Sequence, residues 1–320
     1  MLMRDDSHAI SPGASALSVG IDSFYRSLSW IGSRWPSADP ARYGIHVVQD
    51  VAYGLDSPMH RLDVWVPSKF PAPRPSLLYL HGGGFRILSK ETHWIMALSF
   101  ARRGYVVFNA NYRLAPQHPF PAPLQDACLA YQWVVQNAHR YGADVQRLVL
   151  AGESAGANLA TALTVAACFE RKEPYARNVF DTTIVPKALL PACGILQVSN
   201  PERFLDDPAI HPWVMNRIVS VSKAYLPDPK VEGADLASPL LVLESTACPV
   251  RPLPPCHAIV GADDPIRRDS LRLEKALSHR ASPVEVRSYP RQGHAFHAFV
   301  WRAQAKAAWK DTFHFLDQNL

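Results

Sequence analysis

Apolar and polar positions along this chain follow two alternating rhythms. In HRLDVWVP (60–67) apolar residues alternate with polar ones, the pattern of a strand with one wet face. PSLLYLH (75–81), GYVVFNA (104–110), RLVLAG (147–152) and CHAIVGA (256–262) are instead short, unbroken apolar runs. Runs of that kind suit strands covered on both faces, as in parallel sheets. PVEVRSY (283–289) is a further candidate strand. Between them, residues 124–141, 154–170, 267–280 and 302–318 carry apolar residues at helical spacing. Strands alternating with helices predict an α/β fold: a central, mostly parallel sheet flanked by helices.

Two helical stretches fall outside that alternation. DSFYRSLSWIGSRW (22–35) aligns Phe24, Leu28, Ile31 and Trp35 on one face; WVMNRIVSVSKAY (213–225) aligns Val214, Ile218, Val221 and Tyr225. Each stripe needs a partner. The two either pack on the main core or form a cap over a site.

Composition narrows the field. A chain of 320 residues that is 48% hydrophobic can bury one large core, so 1–320 is read as a single α/β domain. The net charge of +5 is spread among acidic residues, as in RRDSLRLEK (267–275), without basic blocks interleaved with aromatics. A nucleic-acid partner therefore has no support. The five cysteines include no CxxC pair, which argues against a zinc site or a disulfide framework and for buried thiols in a reducing compartment. The start of the chain lacks the basic and apolar regions of a signal peptide, and no run reaches the roughly 18 apolar residues of a membrane span. The expectation is a soluble, cytoplasmic protein with no membrane span.

The chemistry begins at LVLAGESAGANLA (148–160), where Gly152, Ser154 and Gly156 form G-x-S-x-G between a strand pattern and a helix pattern. That setting puts a serine on a sharp strand-to-helix turn, with small residues on either side letting neighbouring chain approach. A nucleophilic serine needs donors for the oxyanion that its attack creates. HGGGF (81–85) follows a predicted strand and precedes the serine. A phosphate loop would need G-x-x-x-x-G-K-[ST], or G-x-G-x-x-G with a downstream acid, and neither is present. Gly83 and Gly84 are thus candidate oxyanion donors, with Ala155 as a third. Phe85 and Tyr112, near this loop, are candidate pocket walls or ordinary core.

A serine also needs a base, and the base a carboxylate that holds its tautomer. In the order serine, acid, histidine, CHAIVGADDPIRRDS (256–270) offers Asp263, Asp264 and Asp269, and SYPRQGHAFHAF (288–299) offers His294 and His297. His294 and His297 also form an H-x-x-H pair, but no third metal ligand is suggested nearby.

HGGGF (81–85), YRLAPQHPFPAPLQDA (112–127), GESAGANLA (152–160), ASPLL (237–241), DPIRRDS (264–270) and GHAF (293–296) occur together in an order that resembles the hormone-sensitive-lipase family of α/β-hydrolases, in its bacterial esterase branch. The match runs from about residue 45 onward. The resemblance implies a triad of Ser154, Asp264 (the acid immediately before the proline) and His294, with His297 structural. It implies a carboxylesterase acting on small, short- to medium-chain acyl esters with no metal or organic cofactor. It also implies a variable helical cap from about 1–43 plus about 195–235, and a homodimer through the last sheet edge. An amidase or formamidase would use the same triad, and a non-catalytic ligand-binding protein of this fold would lack an intact one. Four positions depart from the family pattern: Asn111 and Gln117 stand where acids are usual, Glu153 where Asp or Thr is usual, and Arg268 reverses a charge near the acid.

Overall fold

The computed structural model of the protein describes residues 16–320. Residues 1–15 of the expected cap, and the side chains of Phe24 and Leu28, lie outside the described part. Eight strands form one sheet: β1 (Ile45–Ala52), β2 (Arg61–Pro67), β3 (Arg74–Leu80), β4 (Val106–Ala110), β5 (Ala143–Glu153), β6 (Ala188–Ala192), β7 (Cys256–Gly261) and β8 (Val284–Tyr289). Their order is β1-β2-β4-β3-β5-β6-β7-β8. The β1–β2 and β2–β4 pairs are antiparallel and every later pair is parallel. The helices are α1 (Ala16–Ser33), α2 (Trp94–Ala101), α3 (Ala122–Asn137), α4 (Ala155–Cys168), α5 (Pro174–Asp181), α6 (Pro212–Tyr225), α7 (Pro239–Glu244), α8 (Arg267–His279) and α9 (Ala303–Asn319). No helix among the described residues is long and apolar enough to cross a membrane.

The apolar runs behave as a doubly covered sheet requires. Successive side chains of a strand point to opposite faces. In β3, Leu78 and Leu80 join one core with residues of α3, α4 and α5, while Leu77 and Tyr79 join the other with Met96, Phe100, Phe313 and Leu316 of α2 and α9. All of α4 is buried, and its run of Ala, Gly and Thr lets it lie close against the sheet.

β2 departs from its one-sided expectation. Leu62, Asp63, Val64 and Trp65 are all buried, because β2 lies inside the sheet between β1 and β4. Asp63 tolerates this by accepting from Asp50 N at 2.9 Å and pairing with Lys90 Nζ at 2.9 Å. β6 also escapes the pattern. Its Pro191 sits opposite Gly152 of β5, and pairing with β7 falls at Leu189 and Ala192, on either side of the proline. Four of the thiols are buried as expected, but Cys248 is exposed.

The α6 stripe packs inward through Ile218 and Tyr225, with Val214 and Val221 half-buried. In α1, by contrast, Ile31 and Trp35 are exposed by 52% and 65%, so that end of the stripe has no partner among the described residues. Asp22 anchors α1 by accepting from Leu88 N at 2.9 Å.

Candidate active site

The carboxyl ends of β3, β5, β6, β7 and β8 line one edge of the sheet, and each releases a loop carrying chemistry. The elbow after β5 is shaped by sterics. Ser154 holds φ 54° and ψ −110°. A Cβ on Gly152 would lie 2.4 Å from the Gly156 carbonyl, and one on Gly156 would lie 2.0 Å from the Leu80 oxygen. Only glycine lets the turn and β3 approach this closely. Ser154 N donates to Ala192 O at 2.8 Å, tying the elbow to β6.

His294, after β8, faces the serine. Its Nε2 stands 3.0 Å from Ser154 Oγ and its Nδ1 stands 2.9 Å from Asp264 Oδ2. Asp264, in the loop after β7, accepts from Ile266 N through Oδ1 at 3.0 Å, so both carboxylate oxygens are engaged. The loops around it partly desolvate His294, which opposes its charge, although over a third of the side chain is exposed. The Asp264 carboxylate outweighs that, with a smaller contribution from Glu153, and pushes the imidazole up to about 9. The rival acids stand elsewhere. Asp263 is exposed, and Asp269 lies inside α8, where it accepts from Leu196 N and Gln197 N and pairs with Arg203.

The glycine loop after β3 turns left-handed at Gly83 (φ 112°) and Gly84 (φ 60°). A Cβ on Gly83 would meet the Ile87 oxygen at 2.0 Å. The N–H groups of Gly83 and Gly84 have no protein acceptor among the described residues, and that of Ala155 is the first of α4 and has none within the helix. Gly82 N instead donates to His93 Nε2 at 3.2 Å. His81 is a prop: burial pushes it down to about 3, it stacks on Tyr112 at 4.2 Å, and its carbonyl accepts the Tyr112 hydroxyl at 2.7 Å.

A family model described as alpha/beta hydrolase fold matches residues 77–298. The chain is 30% identical over 250 residues to esterase LipI of Mycobacterium tuberculosis, spanning 77% of this chain and 73% of that protein. Its fold resembles the crystal structure of esterase LipW from Mycobacterium marinum, with TM-score 0.75 and 25% identity over 95% of this chain and 91% of that one. It also resembles the crystal structure of an esterase from the bacterial hormone-sensitive lipase family, with TM-score 0.73 and 26% identity over 97% and 94%. The chain belongs to the hormone-sensitive-lipase family of α/β-hydrolases.

The departures from the family pattern have local partners. Asn111 Oδ1 accepts from Lys90 N at 2.7 Å. Arg268 pairs with Asp207 at 3.4 Å. Glu153 is buried beside Ser154, 3.8 Å from His93 Nε2 and 3.3 Å from His297 Nε2. Burial alone would raise its pKa. The imidazoles of His93, His297 and His294 outweigh that and hold the carboxyl down to about 2. Glu153 thus stands between His93, which accepts from Gly82 N, and His297, a juxtaposition that spacing along the chain does not reveal. His297 faces this carboxylate rather than forming a metal pair with His294. Phe85 and Tyr112 take the core alternative. Both are fully buried, and Phe85 stacks on Tyr225 of α6 at 3.6 Å.

Proposed function

We propose that this family member, a carboxylesterase, hydrolyses short- to medium-chain acyl esters through Ser154, His294 and Asp264. The observation that carries the reading is the unbroken line Asp264–His294–Ser154, with links of 2.9 and 3.0 Å ending on a hydroxyl at the head of α4. His294 Nε2 takes the Ser154 proton as Oγ attacks the ester carbonyl. Gly83, Gly84 and Ala155 donate to the oxyanion. His294 then protonates the leaving alkoxide and later activates the water that clears the acyl-enzyme, while Asp264 fixes the tautomer and offsets the imidazolium charge.

The reading includes residues up to about 43 and about 195–235 as a cap on a single domain. Its support is α6, which lies on the oxyanion loop through Val221, Tyr225 and a 2.8 Å bond from Arg86 to Ser220 Oγ. It also includes a cytoplasmic location, supported by the unpaired buried thiols, and a homodimer across the open edge of β8. Ser154→Ala is expected to lower kcat on p-nitrophenyl acetate by about 10⁶ at an unchanged circular-dichroism melt. Retained turnover would remove Ser154 as the nucleophile. An acyl-length series on the wild type tests the substrate range, and sedimentation equilibrium tests the dimer.

A further inference from the structure

Cys193 plays no part in the chemistry above, yet it lies against it. It follows β6 directly, as Asp264 follows β7 and His294 follows β8, so adjacent parallel strands deliver three loops to one spot. Its N–H donates to Ile259 O at 2.9 Å, which fixes it against β7. The Cys193 thiol is fully buried, as is the Asp264 carboxylate. One donor atom from each of Cys193, Asp264 and His294 lies within 4.8 Å of the other two.

We propose that these three side chains form a site for a thiophilic divalent cation, zinc or cadmium, and that its binding switches the histidine base off. The metal binding stands independently of the proposed function; only the inhibition rests on it. A sulfur, a nitrogen and an oxygen donor converging from separate loops suit such an ion, whereas magnesium and calcium favour all-oxygen sets. Zinc sits about 2.3 Å from sulfur and about 2.0 Å from nitrogen or oxygen, so tetrahedral donors stand roughly 3.3–3.8 Å apart. The 2.9 Å Asp264–His294 contact would open by a few tenths of an ångström, and the sulfur would close by up to roughly 1 Å. A thiolate and a carboxylate together neutralise the 2+ charge, which a buried ion requires.

The protons balance. Cys193 gives its Sγ proton to solvent and forms the metal–sulfur bond. Nδ1 of His294, the nitrogen turned to Asp264, gives its lone pair to the metal; its proton leaves to solvent when the ring is cationic and reappears on Nε2 when the ring is neutral. Asp264 Oδ2, released from that hydrogen bond, becomes the third ligand. Nε2 now carries hydrogen and has no lone pair for the Ser154 proton. The metal occupies the place of the Nδ1 proton and forces the unproductive tautomer.

Cadmium titration of the full-length, metal-free protein tests this, with the thiolate-to-cadmium charge-transfer band in the ultraviolet as the binding readout. Zinc inhibition of p-nitrophenyl acetate hydrolysis is the functional readout, with reversal by EDTA. Cys248→Ser controls for the exposed thiol and is expected to keep both the band and the inhibition. Cys193→Ala is expected to lose the band and to need at least tenfold more zinc for half-inhibition. If Cys193→Ala turns over too slowly to assay, the band still decides. His294→Ala is expected to weaken cadmium binding at least tenfold while leaving the thiol in place. A band that follows Cys248, or one at unchanged affinity in His294→Ala, overturns the three-donor site. A wild type that shows the band but hydrolyses no ester would leave the site standing and remove the function instead.

Discussion

Ser154 occupies a left-handed backbone position that a side-chain-bearing residue adopts only under constraint. The constraint comes from Gly152 and Gly156, whose hydrogens face backbone rather than movable side chains. Gly156→Ala is therefore expected to cost at least about 3 kcal/mol, seen as a melting temperature lowered by roughly 5–10 °C. Asp264→Asn should lower kcat by about 10⁴, whereas the exposed Asp263→Asn should leave it near wild type; the reverse order would reassign the acid. The Asp264 carboxylate raises the His294 pKa to about 9, and the proposed mechanism uses the neutral ring. The value of kcat/KM should then climb as pH rises through that point. Asp264→Asn should bring the rise down toward about 6.5, and Glu153→Gln should move it the same way by less. A pH–rate profile of the three proteins checks the order. At this scale the sequence was highly legible, since G-x-S-x-G and HGGG each dictate a backbone shape. The placing of Glu153 and Cys193 was not, because their partners come from loops far apart in the chain.

Tyr225 of α6 stacks on Phe85, and its carbonyl accepts Phe120 N at 2.7 Å. Tyr225→Ala empties a fully enclosed position and is expected to cost about 3–5 kcal/mol by urea unfolding. Such long, strongly patterned elements could be read from the chain. α3, α4, α6, α8 and α9 fall where apolar periodicity puts them, and β3, β4, β5 and β7 where continuous runs do. The missed elements each have a physical reason. In β6, ALLPA carries a proline where a central strand normally donates an N–H. β1 is largely wet, and its register shifts between Val48 and Val51, which breaks any alternation. α2 is apolar on nearly every side, so no period stands out, and α5 and α7 are too short to show one.

Across the whole molecule, the segment proposed as a cap is fastened to α8 by Arg203, which pairs at 2.8 Å with the fully buried Asp269. Arg203→Ala leaves that carboxylate to Leu196 N, Gln197 N and Arg272 at 3.7 Å and is expected to destabilise the protein by about 1–3 kcal/mol in a denaturant titration; Arg268→Ala, which removes an exposed partner of Asp207, should cost under about 1 kcal/mol. The architecture was legible at this level because strand–helix alternation carries it. The seating of the cap was not, because it depends on contacts that no periodicity encodes. One of those contacts reaches beyond stability. Val221 of α6 fills the space beside Gly84, 2.8 Å from where a Cβ would stand. Under the proposed function, the cap helix and the loop that would hold the oxyanion are thus fitted to one another. In that reading, a cap transplanted from a relative would bring its own fit to residue 84, so substrate range and turnover would change together.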